Sequence, residues 1–178
     1  MTMRALRTAV TLAAAAALAA GAGVGVASAA NSGASGAGEC QPGTLRATTT
    51  SAGGSQVGMN HVGVYLKVVN TGKSACTFSG YPGLALEAAG HTALKTTARH
   101  GDTYFAQDPG VHKVTLKPGG AAYADMVWTH TGASTAHAKY LQISPTGSNA
   151  HSVVAFDQDV DNGTLAVTAW SAARPGAS

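Results

Sequence analysis

Residues 62–86 read VGVYLKVVNTGKSACTFSGYPGLAL, and this stretch decides the fold. From residue 61 to 69 the side chains alternate. Val62, Val64, Leu66 and Val68 fall on one face, and His61, Gly63, Tyr65 and Lys67 on the other. A period of two marks a strand with one buried side. Asn70-Thr71-Gly72 ends it, because Asn and Gly both tolerate positive φ. Cys76 follows, then the turn Tyr81-Pro82-Gly83, and Leu84 and Leu86 open the next strand.

Upstream, residues 44–50 (TLRATTT) are rich in β-branched side chains and predict an edge strand broken at Gly53-Gly54. Downstream, residues 91–110 are the least regular part, with turn signals at Gly101-Asp102 and Asp108-Pro109-Gly110. Val114 and Leu116 lead into the turn Lys117-Pro118-Gly119-Gly120. Ala122, Ala124, Met126 and Trp128 then alternate with Tyr123, Asp125 and Val127. Residues 129–138 read as a polar loop holding His130 and His137. Leu141 and Ile143, then residues 153–156, then Leu165, Val167 and Ala169 mark the last strands. No helical period competes with these runs. The pattern predicts an all-β fold, an antiparallel immunoglobulin-like β-sandwich of seven to nine strands, with a closed barrel as the alternative. The cysteine-tryptophan-cysteine order of antibody domains is absent, because Trp128 follows both cysteines.

The N-terminus predicts export. Arg4 and Arg7 precede an uncharged run from Thr8, and Ala27-Ser28-Ala29 supplies the small-x-small cleavage pattern, so residues 1–29 read as a signal peptide. A retained anchor is the alternative, but a run of mostly Ala and Gly gains little from lipid. Residues 30–39 (ANSGASGAGE) read as a flexible leader, 40–171 as the domain and 172–178 as a polar tail. Losing Arg4 and Arg7 leaves nine basic against eight acidic residues, a net charge of +1. The remaining lysines are scattered singly, which excludes an electrostatic nucleic-acid binder. Cys40 and Cys76, the only cysteines, predict one disulfide in an oxidising compartment. The expected location is secreted, with no stable membrane anchor after cleavage.

With these residues in view, the chain resembles the secreted actinobacterial domain-of-unknown-function family 4232. The matching features are Cys40 after a Gly/Ser-rich leader, Asn70-Thr71-Gly72, Cys76 and Gly80-Tyr81-Pro82-Gly83. Leu116-Lys117-Pro118-Gly119 and the strand ending at Trp128 follow, and the resemblance covers about residues 40–171. Many members carry a second cysteine pair, which this chain lacks. Losing both together implies that Cys40 bridges Cys76. The resemblance implies no activity.

Three constellations bear on chemistry. Asp157, Asp159 and Asp161 followed by Asn162-Gly163 give calcium-loop spacing, against the plainer reading of a polar strand end and hairpin turn. Seven histidines are present, none within four residues of another, so no sequence-local metal site and no cofactor is expected. Glu87 and Asp125 read as single outward strand residues, and no catalytic motif appears. The remaining candidate is the loop carrying Arg99, His100, Tyr104 and Phe105, cationic and aromatic groups in the least regular segment. Its plainer reading is that Tyr104 and Phe105 plug the open end of the core. The expected function is a non-catalytic extracellular binding or cell-envelope module, with an extracellular protein or a cell-wall component as partner. A secreted enzyme or a calcium-binding module is the rival.

Overall fold

The alternating stretch becomes the centre of the largest sheet. The computed structural model describes residues 36–51, 56–145 and 147–176. The predicted signal peptide and the Gly53-Gly54 break lie outside the described residues. In chain order the strands are β1 (Gly38–Glu39), β2 (Leu45–Thr50), β3 (Gln56–Gly58), β4 (His61–Asn70), β5 (Cys76–Phe78) and β6 (Gly83–Glu87). They continue as β7 (Thr97–His100), β8 (Val114–Leu116), β9 (Ala121–Thr129), β10 (Thr135–Ser144), β11 (Ser152–Asp161) and β12 (Thr164–Val167).

Three sheets result. One has six strands, ordered β2-β4-β9-β12-β7 with β3 also on β4; the others are β11-β10-β6 and β1-β5-β8. Strand β4 pairs with β9 along its length, from His61 opposite Thr129 to Val69 opposite Ala121. That register sets Leu66 and Val68 beside Ala124 and Ala122, all fully buried. Leu86, Leu141, Ile143, Phe156 and Val160 of the second sheet join the same core. At about 1.5–3 kcal/mol for each large apolar side chain, this shared burial is the main force holding the sheets together.

Several expectations change. Among the described residues twelve strands stand where seven to nine were expected, and two pairings, β1 with β5 and β7 with β12, are parallel. The irregular segment 91–110 contains β7. The polar loop 129–138 is shorter than predicted, because β10 starts at Thr135 and carries His137. Asn70 and Gly72 do not take positive φ. Asn70 works instead as a buried hub: its Nδ2 donates to the Ser74 and Leu116 carbonyls at 2.9 and 3.0 Å, and its Oδ1 accepts from Gly72 N–H.

Both ends of the domain are tied down. Cys40 is bonded to Cys76, and just before it Gly38–Glu39, within the predicted flexible leader, pairs with Cys76 and Thr77. At the other end Arg174, placed in the polar tail, lies over the rings of Tyr65 and Tyr123 at 5.7 and 5.2 Å. Tyr65 OH donates to the Pro175 carbonyl at 3.1 Å. The tail thus covers the outer face of β4 and β9. Among the described residues, no helix is long and apolar enough to cross a membrane.

Candidate functional site

The four candidate loop residues separate into two places. Arg99 and His100 sit on β7, where His100 stacks on Tyr81 with ring centroids 4.3 Å apart. Tyr104 and Phe105 sit on the following loop, edge to face at 5.0 Å. Among the described residues no hydrogen bond or ring contact links the first pair to the second.

Phe105 is structural. Gly63 on β4 leaves room for it: a Cβ there would stand 3.0 Å from the Phe105 ring and 3.1 Å from Val127. The ring therefore covers the outer face of the sheet, and it is not among the side chains that pack the core, so it does not plug the core's end. Tyr104 differs. It is half exposed and stacks on His61 at 4.0 Å, while His61 Nδ1 bonds the Met59 carbonyl.

Met59 is the residue that sequence reasoning missed. It lies with Asn60 at the tip of the β3–β4 hairpin, both with positive φ (43° and 70°). A two-residue hairpin loop of that geometry favours Asn and Gly. A bulky side chain there costs roughly 1–2 kcal/mol, and Met59 is 84% exposed, so packing returns nothing. The signal available in sequence was a Met-Asn pair where turn residues belong.

Asp125 holds this end in place. It lies on the outward face as expected, yet it is fully buried, because loop 101–108 folds over it. Its Oδ2 accepts from the Thr103 hydroxyl at 2.5 Å, its Oδ1 from Gln56 Nε2 at 2.7 Å, and its N–H donates to Thr168 Oγ1. Thr103 Oγ1 in turn accepts from Ala106 N–H at 3.0 Å. Burial pushes the Asp125 carboxyl above its usual range, against the lowering effect of the Thr103 and Gln56 hydrogen bonds. A carboxyl raised in the folded state binds its proton more readily there than in the unfolded chain. Its contribution is therefore present at low pH and lost as pH rises through the folded value. Asp125→Asn removes that dependence. Measured by denaturant unfolding, wild type should gain stability relative to Asp125→Asn as pH falls from 7 to about 4. A difference that does not vary with pH would refute the raised carboxyl. Asp125→Ala, which strands Thr103 and Gln56, should cost about 2–3 kcal/mol.

The Gly-Tyr-Pro-Gly turn serves the same loop. Tyr81 OH donates to Asp108 Oδ2 at 2.5 Å, while Asp108 Oδ1 accepts from Ala169 N–H at 2.8 Å. That hydrogen bond to the carboxylate raises the Tyr81 phenol above its usual range.

The other acids find separate partners. Glu87 is buried rather than outward, because residues 88–96 fold over it. Its carboxylate lies 2.7 Å from His91 Nδ1 and accepts from Gln142, and these two hydrogen bonds hold it below the usual carboxylate range. The pair has a base and its orienting acid, but His91 hydrogen-bonds no hydroxyl or thiol among the described residues. The three aspartates of the calcium spacing do not converge. Asp157 and Asp159 flank His137 at 3.1 and 2.8 Å, and Asp161 accepts from Gly132 N–H. Among the described residues no group of three or more His, Cys, Asp or Glu is placed to hold a metal ion. A groove of about 470 Å³ beside the disulfide, between Glu39, Phe78 and Lys113, includes none of the candidate loop residues.

Fold and site together define an all-β domain pinned by one disulfide, with an exposed Met-Tyr-His cluster at one end. The chain belongs to the family described as a domain of unknown function (DUF4232), whose model matches residues 40–171. No curated protein and no solved structure matches it.

Proposed function

We propose that the chain is an exported, non-catalytic binding or cell-envelope module, an immunoglobulin-like β-sandwich that contacts its partner through Met59, Tyr104 and His61. The sandwich reading is supported by two sheets, the six-stranded one and β11-β10-β6, sharing one core. Export is supported by the charge and cleavage pattern of residues 1–29, and by a disulfide of the kind that persists in oxidising compartments.

Met59 carries the binding reading. A hairpin tip that spends backbone energy to present an exposed thioether stabilises nothing in the fold, and such outliers cluster where a chain makes contact. The stacked Tyr104 beside it is a rigid aromatic of the kind that dominates interfaces. A protruding tip suits the surface of a protein or wall polymer better than it suits a small molecule, which needs a concave site.

The test is recovery of the protein on isolated cell-wall material and on immobilised secreted proteins. Tyr104→Ser and Met59→Asn should each reduce recovery about tenfold, the effect expected for an anchor residue. Recovery equal to wild type from every fraction would remove the reading.

A further inference from the structure

Strand β7 is the last strand of the six-stranded sheet, and β12 is its partner. Thr97 N–H donates to the Gly163 carbonyl at 2.8 Å, and Gly101 N–H to Val167 at 3.2 Å. In a parallel ladder alternate residues face the same neighbour, so the N–H and C=O groups of Ala98 and His100 point away from β12. The chain is fitted closely at this edge: a Cβ on Gly163, whose φ is +64°, would stand 1.9 Å from the Lys95 carbonyl.

The neighbouring edge is treated differently. On β6, Leu86 has its N–H capped by the Thr96 hydroxyl and its carbonyl by Leu94 N–H. The run 93–96 therefore closes one sheet edge, and the residues that follow it, 97–100, form another that is left open. An open edge is a template for a further strand.

Charge selects what can add. Lys95, Arg99 and His100 are exposed, no acidic residue occurs from 88 to 101, and none of the three has an ion pair among the described residues. Alternation puts Thr97 and Arg99 on one face of β7, and the exposed Lys95 lies two residues before the strand. A second copy of β7 laid alongside would oppose cation to cation, which destabilises a strand pair. An acidic strand would meet complementary charge.

The geometry points to β7 as a site for strand addition by an extended acidic segment of a partner protein. Main-chain hydrogen bonds go to Ala98 and His100, and carboxylates at alternate positions face Lys95 and Arg99. This surface is separate from the Met59 tip and does not depend on it.

The probe is a short synthetic peptide alternating glutamate and valine, added to the 15N-labelled protein. Two controls accompany it: a lysine–valine peptide, and a fully backbone-N-methylated form that keeps the charge and loses every main-chain donor. Only the unmodified glutamate peptide should slow hydrogen exchange at the Ala98 and His100 amides, by about tenfold near saturation. Lys95→Glu/Arg99→Glu should weaken its binding by about tenfold, two exposed charge pairs' worth. Unchanged exchange at both amides would overturn the proposal. So would equal binding of the N-methylated peptide, which would show charge attraction alone. Self-association of the double variant without peptide binding by wild type would show that the cations only guard the edge, and that too would overturn it.

Discussion

Replacing Cys40 and Cys76 together by alanine is expected to lower the unfolding free energy by roughly 4 kcal/mol and the melting midpoint by about 10–15 °C. The bridge spans 36 residues, so its loss releases the closure entropy of a long loop in the unfolded chain. It also frees a segment with little else to hold it. Strand β1 has only two paired residues, and Cys40 N–H reaches the Thr77 carbonyl at 2.8 Å. Alanine avoids putting hydroxyls into sites that are 9% and 8% exposed. Thermal unfolding of the double variant should coincide with that of reduced wild type. A loss under about 1 kcal/mol would mean that the bridge does not restrain the unfolded chain as proposed.

Trp170→Ala should cost a similar amount, about 3–5 kcal/mol. Trp170 is a fully buried side chain that meets the Phe78 ring edge-on at 6.1 Å. Its Nε1–H donates to the Pro145 carbonyl at 2.9 Å, and its backbone N–H donates to Gly80. It therefore ties the chain's end to the Gly-Tyr-Pro-Gly turn and to the end of β10. Trp170→Phe keeps most of the volume and leaves the Pro145 carbonyl unmatched, a cost of about 1–3 kcal/mol. Urea unfolding should rank the alanine variant well below the phenylalanine one. Equal losses would assign the residue's role to the hydrogen bond rather than to volume.

The opening stretch was legible because its period is strict. The alternation from Val62 to Val68 reappears as the inward face of β4, and Ala122 to Trp128 as that of β9. What was not legible is the layer laid on the other face. Asp125 and Glu87 occupy positions that alternation assigns to solvent, yet loop 101–108 and residues 88–96 cover them. Covering by a segment with no period of its own leaves no trace in local pattern. Trp170 escaped for a related reason: Thr168, Ala169 and Trp170 are all buried, so no alternation marks them. The loop Arg99 to Phe105 was noticed for its composition. Composition could not separate Phe105, packed over Gly63, from Tyr104, exposed beside Met59.

On the proposed function, the Met59 tip is shaped for contact at the expense of the fold. Met59→Asn tests it most directly, with melting midpoint and recovery on cell-wall and secreted fractions measured on the same preparation. Asparagine suits positive φ, so the midpoint should rise by about 3 °C, for roughly 1 kcal/mol, while recovery falls about tenfold. A midpoint that does not rise, or recovery that matches wild type, would contradict it.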